Sequence, residues 1–285
     1  AMASSWRANL RPGVVTGDAA WSLLTHAKDH NYAIPAFNCS TSSSCNAVLE
    51  AAATIDRPII IQFSEGDSAF FAGESLPNKS KEASVLGAVA GAHYVRMVAP
   101  MYGVTVLVHS DGSEKHQLPW FDGMLEADKA FFAAHGEPLF SSHALDLSTE
   151  VDNVAVCAEY LKKMAPMDLI LEMDIGANAG EEDTWAVYEA LSPISEKFTI
   201  SMALRPDQLG RVQEGAARML GGSSGSKPLF FVAYGGSGSE ADEALSHGVV
   251  KVNVHTDDSR KSLREAEMSL AKRVGESCAE LRNKN

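Results

Sequence analysis

KPLFFVAYGGSGS (Lys227–Ser239) and VVKVNVHTD (Val249–Asp257) decide the fold class of this chain. Each segment contains an apolar run, Leu229–Ala233 and Val249–Val254, that is typical of a buried strand and ends in small polar residues. A helical pattern opens at Glu240, between the two runs. A strand that ends in glycine and serine just before a helix is typical of an anion site, because open backbone N–H groups and the positive helix end face the ligand.

We therefore predict a phosphate site in this region. Its candidate ligands are the residues of the loop and the polar residues that leave the second strand: Gly235, Gly236, Ser237, Gly238, Ser239, Asn253 and Thr256. The alternative is that GGSGS forms only a flexible turn. Its position between a strand and a helix favours the phosphate site.

The same alternation of apolar strand and amphipathic helix runs through the chain. Strands are predicted at Tyr32–Asn38, Pro58–Phe63, Thr105–His109, Leu139–Ala144, Met167–Asp174, Phe198–Ala203, Leu229–Tyr234 and Val249–Val254. A capping helix is predicted at Thr16–His30, and Ser42 is predicted to cap a helix that runs through Ala53. Further helices are predicted at Ala83–Tyr102, Leu118–His135, Glu150–Met164, Thr184–Glu196 and Pro206–Leu220. This order predicts an α/β fold, a single-domain (β/α)8 TIM barrel, with a doubly wound open sheet as the alternative.

Composition limits the class of protein further. Residues 1–13 are interpreted as an N-terminal remnant or extension, and residues 14–285 as the barrel. The formal net charge of -13 argues against nucleic acid and anionic membranes as partners. The four cysteines lack paired spacing and nothing resembles a signal peptide or a membrane span, so we expect a cytoplasmic protein with reduced thiols.

Polar residues follow the predicted strands at many of their ends. The active site of a (β/α)8 barrel lies at the carboxyl ends of its strands, so these residues should meet at one opening. They are Asn38, Ser64, Asp111, Asp174, Glu181, Glu182, Ser237, Asn253 and Asp257. Any one of them could be an ordinary turn or cap residue, but their shared placement favours a functional site.

Several motifs carry a resemblance to a known family. They are PAFNC, IIIQFSEG, GAHYVRMVAPMYGVTVLVHSD, QLPWFDGML, GEPLFSSHALDLS, LEMDIG with GEED, FVAYGGSGS and GVVKVNVHTD, spread from about Val14 to Glu265. In this order they resemble the class II fructose-bisphosphate aldolases. The resemblance implies a (β/α)8 barrel, usually dimeric, that binds dihydroxyacetone phosphate or a related compound. It also implies a zinc ion that polarises the carbonyl, a loop glutamate that moves the C–H proton, and a strand-end aspartate that handles the aldehyde oxygen.

The resemblance assigns the binding half of the site to residues of this chain. The phosphate loop and the positions Asn253 and Thr256 match the family pattern. Asp111 matches the aspartate, and Glu182 matches the proton-moving glutamate. Asn38 and Ser64 match positions that line the substrate pocket.

The four zinc-ligand positions of the family are different. Gly112 stands where the family has a histidine, Asp174 where it has a glutamate, and Tyr234 where it has a second histidine. The third histidine position falls near Leu209. Zinc needs three or four N, S or O donors close together. We therefore expect no metal at these positions, while a monovalent cation beside the phosphate stays open.

Other side chains could take over the chemistry. Tyr234 and His255 would bring new proton-transfer groups into the pocket, with the alternative that Tyr234 only fills space. Arg205 could bind a second anionic group. Lys251, the lysine within a predicted strand, is assigned a structural role rather than a Schiff base.

Three functions remain. The first is a metal-independent, aldol-type carbon–carbon lyase, distinct from an ordinary zinc-dependent fructose-bisphosphate aldolase. It would abstract a proton next to a carbonyl or imine of a phosphorylated small molecule, in specialised biosynthesis, with Glu182, Asp111, Tyr234 and His255 as catalytic residues. The second is a non-catalytic pseudoenzyme that binds a phosphorylated metabolite, and the third is a metalloenzyme with relocated ligands. A homodimer is expected in each case.

Overall fold

The structure is a computed structural model of the chain. It describes residues 10–147, 153–177, 179–223, 225–234 and 238–254, together with Ser269 and Arg273. For Gly238, Ser239 and Ala241 the backbone alone is described.

Among the described residues, nine parallel strands form one sheet. They are β1 (Gly13–Val14), β2 (Ile34–Asn38), β3 (Ile59–Phe63), β4 (Thr105–Ser113), β5 (Ser142–Asp146), β6 (Ile170–Asp174), β7 (Phe198–Ala203), β8 (Phe231–Tyr234) and β9 (Val249–Asn253). Strands β2 to β9 pair in sequence order, and β9 pairs back onto β2, so these eight strands close into a barrel. The short β1 pairs with the beginning of β4, where Gly13 lies opposite Thr105.

Helices connect consecutive strands of the barrel. They are α1 (Gly17–Asp29), α2 (Ser42–Ile55), α3 (Glu65–Ala72), α4 (Glu82–Tyr102), α5 (Leu118–His135), α6 (Asn153–Met164), α7 (Glu181–Leu191), α8 (Pro206–Met219) and α9 (Gly238–Ser246). Helix α3 is an additional short helix between β3 and α4 that the sequence pattern did not reveal.

Local sequence signals explain where several helices begin. Helix α8 starts at Pro206, since proline is pre-organised for the first helical position. At α2 the N-cap is Thr41, whose side chain accepts a hydrogen bond from the Ser44 N–H, so the prediction of Ser42 as the cap was wrong. Helix α7 begins at Glu181 rather than at the predicted Thr184.

Two apolar clusters hold the barrel together. The larger one lies between the sheet and the outer helices. The smaller one joins Leu23 and Leu24 of α1 to residues of the strands, among them Ile60, Leu107 and Ile170. Helix α1 therefore packs against the amino-terminal end of the barrel interior, as the predicted capping helix should, and leaves the carboxyl ends of the strands for the site.

The predicted (β/α)8 barrel is confirmed, and the open-sheet alternative is wrong because β9 pairs with β2. The prediction for β7 is exact at both ends, and the others differ by a few residues at one or both ends. The chain divides into two compact units, Ala1–Val254 and His255–Asn285. The assignment of residues 255–285 to the barrel domain stays a prediction, since Ser269 and Arg273 are the residues described there.

Within the described residues, no helix is long and apolar enough to cross a membrane. Three cysteines, Cys39, Cys45 and Cys157, are free thiols in the apolar interior.

Candidate active site at the barrel mouth

The barrel interior changes from apolar to polar along its axis. Alternate residues of a strand face the same side of a sheet, so positions two apart stack above one another inside a barrel. Two strands show the pattern: Leu107, His109 and Asp111 on β4, and Ile170, Glu172 and Asp174 on β6. The lowest layer packs against α1, the middle layer is buried and polar, and the top layer lies at the mouth.

A hydrogen-bonded cluster occupies the mouth at the ends of β2, β3 and β4. The Asn38 Nδ2 atom donates to Asp111 Oδ2 at 2.9 Å and to Asp67 Oδ2 at 3.2 Å. The Gln62 Nε2 atom donates to Asn38 Oδ1 at 2.9 Å, and the Ser64 hydroxyl donates to Asp67 Oδ2 at 2.5 Å. We call these five residues the amide side of the mouth. Asn38 fixes the position of both carboxylates because its amide is itself held by Gln62.

Ser64 also links this cluster to the start of a helix. It is the N-cap of α3, and its hydroxyl oxygen accepts a hydrogen bond from the Asp67 N–H at 3.2 Å. The cap therefore links the end of β3 to the carboxylate that Asn38 contacts.

Beneath the mouth lies a buried ion pair. The Lys251 Nζ atom donates to Glu172 Oε2 at 2.6 Å, and both residues are about 4% exposed. His109 Nε2 lies 3.5 Å from the same Glu172 oxygen, and His109 Nδ1 lies 2.8 Å from Ser142 Oγ. Burial raises the pKa of Glu172 while Lys251 opposes this, and burial lowers the pKa of His109 well below its usual range. The imidazole is thus neutral at pH 7. The ion pair with Glu172 accounts for the buried Lys251 ammonium, and the structural role of Lys251 stays a prediction.

The ends of β5 and β6 bring two carboxylates together. Asp146 and Asp174 are direct partners in the register of the two parallel strands. Asp174 accepts hydrogen bonds from the Gly176 N–H at 2.7 Å and the Ser201 hydroxyl at 3.2 Å. Burial raises the pKa of Asp174 to about 6, and the negative charges of Asp146 and Asp111 add to this. This carboxylate therefore takes up a proton much more readily than a solvated aspartate does.

Tyr234 completes this side of the mouth at the end of β8. Burial and the charges of Asp174 and Asp146 raise the pKa of Tyr234 to about 12, while Arg205 partly opposes them. Arg205 is exposed and is the N-cap residue of α8. We call Asp146, Asp174, Arg205 and Tyr234 the acid side of the mouth. The Tyr234 phenol stays protonated at pH 7 and can donate a hydrogen bond.

Comparison with known proteins connects this geometry to a family. The sequence profile of the family Fructose-bisphosphate aldolase class-II matches residues 18–284. The chain is 46% identical to a fructose-bisphosphate aldolase of Saccharomyces cerevisiae, over 87% of this chain and 79% of the relative. It is 45% identical to that of Neurospora crassa, again over 87% and 79%. This chain belongs to the class II fructose-bisphosphate aldolase family.

A solved structure supports the same assignment at the level of the backbone. The crystal structure of fructose-bisphosphate aldolase from Campylobacter jejuni superimposes with a TM-score of 0.82 at 36% identity, covering 91% of this chain and 82% of that chain. The family named from the motifs is therefore confirmed. The relatives carry the names of fructose-bisphosphate aldolases, which supports a carbon–carbon lyase that acts on a phosphorylated sugar.

The zinc positions of a class II aldolase can be compared with the side chains present here. Gly112 has no side chain and adopts φ +56, a left-handed conformation that favours glycine. Leu209 is buried in α8, and the Tyr234 phenol is protonated at pH 7. In the described part of the chain, no three His, Cys, Asp or Glu side chains are grouped to hold a metal ion. Asp174 alone supplies a suitable ligand, so the described residues do not fit zinc.

The phosphate loop of this aldolase family member falls largely outside the described residues. Gly235, Gly236 and Ser237 lie there, as do Thr256 and the candidate proton-transfer residue His255. For Gly238 and Ser239, the first residues of α9, the backbone alone is described. Asn253 is described: it ends β9, and its buried Oδ1 atom has no hydrogen-bond partner among the described residues. The phosphate site stays a prediction.

Glu182 lies in the first turn of α7, the helix that follows β6 along the chain. Glu181, Glu182 and Asp183 share this turn, where carboxylates are stabilised by the helix dipole, and the Asp183 side chain accepts from the Gly180 N–H at 2.8 Å. The Glu182 side chain is exposed and lines a groove between α7 and α8. Its predicted role as the proton-moving base stays a prediction.

Three carboxylates of this region were not predicted from the sequence: Asp67, Asp146 and Glu172. Asp146 ends β5 in the motif HALDLS, so its position at a strand end was an available signal. Asp67 lies three residues after Ser64, the spacing of an N-cap and its partner. Glu172 interrupts an apolar strand, and a charge at such a position requires a buried partner.

Proposed function

We propose that this protein is an aldol-type carbon–carbon lyase that acts on a phosphorylated sugar or a phosphorylated ketone. The observation that carries the proposal is the amide side of the mouth, where Asn38 holds Asp111 at 2.9 Å on a barrel of the aldolase family. A carboxyl group fixed in this way can accept a hydrogen bond from a hydroxyl of a second reactant, or in its protonated form donate one to the carbonyl oxygen. Such positioning is a large part of enzymatic rate enhancement.

The proposed step begins with the bound ketone. Glu182 takes the proton from the carbon next to the carbonyl, and the electron pair of that C–H bond forms an enediolate. The nucleophilic carbon then bonds to the aldehyde carbon, and the aldehyde oxygen gains a proton, with Asp111 as acid or anchor. Cleavage is the same sequence in reverse.

The developing oxyanion requires hydrogen-bond donors or positive charge. Tyr234 supplies a protonated phenol, and Arg205 supplies a guanidinium near it. Preorganised donors of this kind are typically worth about 2.7–4 kcal/mol each. Because the described residues do not fit zinc, we propose that these donors, with His255, support the step without a metal at the family's ligand positions.

Two finer proposals accompany this function. The substrate differs from fructose bisphosphate and belongs to a specialised biosynthetic reaction, because the changed metal positions set this chain apart from the family pattern. The active form is a homodimer in the cytoplasm, as we expect for a family member of this kind. The first is tested by substrate panels and the second by analytical ultracentrifugation.

Solvent deuterium exchange tests the chemistry directly. We expect NMR to show that the protein exchanges a C–H proton of dihydroxyacetone phosphate or a related phosphorylated ketone in D2O. The exchange should be lost in Glu182→Gln and should persist after chelator treatment. Exchange that disappears with chelator and returns with zinc would overturn the metal-independent step, and elemental analysis showing one zinc per chain would do the same.

A second candidate function is a non-catalytic binding protein for a phosphorylated metabolite. It is favoured by the placement of Glu182 in the wall of the α7–α8 groove, together with Trp185 and Met219. A protein that binds dihydroxyacetone phosphate by calorimetry yet exchanges none of the phosphorylated ketones would support this candidate over the lyase.

A further inference from the structure

A groove runs along the outside of the barrel between α7 and α8. Its volume is about 330 Å³. Helix α7 contributes Glu182, Trp185, Ala186 and Glu189, a spacing of i, i+3, i+4 and i+7, and α8 contributes Val212, Gly215, Ala216 and Met219 at the same spacing. Residues so spaced share one face of a helix, so each helix presents a continuous stripe to the groove.

Small residues keep the groove open. Ala186, Gly215 and Ala216 stand where larger side chains would fill the space between the helices. A Cβ atom added at Gly215 would lie 2.8 Å from Glu181 Oε2, so glycine leaves room for the opposite wall. Leu229 and the Trp185 indole also line the groove, and Met219 beside them is 61% exposed. The floor is therefore apolar and accessible, and its volume lies at the lower end of the range for small-molecule pockets.

Carboxylates stand at both ends of the α7 stripe. Glu182 and Glu189 are seven residues apart, which corresponds to about 10 Å along a helix axis. Both side chains are exposed, and neither forms an ion pair with the described residues. Glu181, at the same end as Glu182, lies 3.8 Å from Arg218 Nη2.

Charge complementarity decides the class of occupant. An acidic rim in a chain of net charge -13 disfavours anions and a second copy of the chain. In the described part of the chain, these carboxylates belong to no cluster that could hold a metal ion. Two negative ends about 10 Å apart with an apolar floor between them match a molecule with two ammonium groups joined by a methylene chain.

We propose that the α7–α8 groove is a binding site for a linear diamine or polyamine. One ammonium group pairs with Glu182, the other pairs with Glu189, and the methylene chain lies over Trp185 and Ala216. The site shares Glu182 with the proposed reaction, but its occupancy is measurable without turnover, so failure of the groove proposal and failure of the proposed function are distinguishable.

Calorimetry with 1,8-diaminooctane tests the site on the full chain at low ionic strength. We expect binding that is tighter than that of octylamine, which has one charge, and of 1,2-diaminoethane, which is too short to reach both carboxylates. An exposed ion pair is weak, so each lost carboxylate should lower the affinity about threefold, and Glu182→Gln with Glu189→Gln should lower it about tenfold.

A matched control separates the groove from general attraction to an acidic surface. Glu214→Gln with Glu243→Gln makes the same change of charge at exposed positions of α8 and α9 outside the groove. We expect this control to bind 1,8-diaminooctane as the unaltered chain does. An equal loss in both double variants, equal binding of the mono- and diamine, or no binding at all would overturn the proposal.

Discussion

At the ends of β2, β3 and β4, two carboxylates share one amide donor, and that amide is held by Gln62 in turn. At the ends of β5, β6 and β8, the carboxylates are opposite one another in register, and burial with mutual repulsion raises the pKa of Asp174 to about 6. The amide side is thus fixed by hydrogen bonds between neutral and charged groups, while on the acid side burial and neighbouring negative charges favour protonation of Asp174. One barrel mouth therefore combines side chains that are held in place by hydrogen bonds with a carboxylate, Asp174, whose raised pKa favours protonation.

The largest effect should come from the ion pair beneath both sides. Lys251→Met would leave Glu172 buried without its cation, and the free energy of unfolding should fall by about 3–5 kcal/mol. Urea denaturation at pH 7 measures this. Lys162→Met, which breaks the exposed pair with Glu159, should cost less than about 1 kcal/mol. Equal losses in the two variants would show that the buried pair does not support the mouth.

The next effect concerns the donor on the acid side. Tyr234→Phe removes the phenol hydroxyl from the mouth and keeps the ring. The rate of deuterium exchange should fall about a hundredfold, because losing one oxyanion donor typically costs about 2.7–4 kcal/mol. Denaturation should show little change, since the packed ring is kept and the hydroxyl is only half-buried. An unchanged exchange rate would mean that Tyr234 only fills space.

A third change tests the rigidity of the amide side. Asn38→Ala removes the donor to Asp111 and Asp67 and leaves the Gln62 Nε2 atom without its acceptor. We expect the free energy of unfolding to fall by about 2–3 kcal/mol, because hydrogen bonds to charged groups are lost. Ser201→Ala, which removes one long bond to Asp174 on the acid side, should cost less than about 1 kcal/mol. Similar losses in the free energy of unfolding for Asn38→Ala and Ser201→Ala would contradict the contrast between the amide side and the acid side.

The smallest effect is a dependence on pH. The pKa of Asp174 is about 6 in the folded chain against 3.8 for an ordinary aspartate. Because the folded chain holds this proton more tightly than the unfolded chain, protonated Asp174 contributes to the free energy of unfolding. This contribution is full below pH 4 and is lost as the pH rises through 6. Asp174→Asn should therefore stabilise the protein by about 1–2 kcal/mol at pH 7.5 and change little at pH 4. Thermal unfolding at both values, with Asp242→Asn on the exposed face of α9 as control, checks this. A pH-independent difference would contradict the raised pKa.

The sequence was sufficient for the eight strands of the barrel because each is a compact apolar run, and some helices have a local start signal. Pro206 at the start of α8 is an example, since its effect is local to the chain. The start of α7 was misplaced because the acidic residues of GEED were assigned to a loop, whereas they are stabilised in the first helical turn.

The site was harder to predict because its contacts cross between strands. Asn38 and Asp111 were found from their positions at strand ends, and they do lie together. Asp146 belongs to the site because it lies opposite Asp174 in the register of β5 and β6. Asp67 belongs to it because α3 follows β3 closely enough for Ser64 to contact the Asp67 carboxylate. The register between strands and the direction of each side chain depend on how the strands pair in the closed barrel. The residue pattern of a single strand does not reveal this pairing.

The apolar packing of α1 beneath the barrel has a kinetic consequence. Because Leu23 and Leu24 close the amino-terminal end against Ile60, Leu107 and Ile170, and the layer of Glu172 and Lys251 above them is buried, reactants approach the strand ends from the mouth. Two reactants that share this opening bind in order, and the one bound deeper enters first and leaves last. For cleavage by the proposed lyase, the product that leaves last should therefore inhibit competitively against the substrate, whereas the product that leaves first should not.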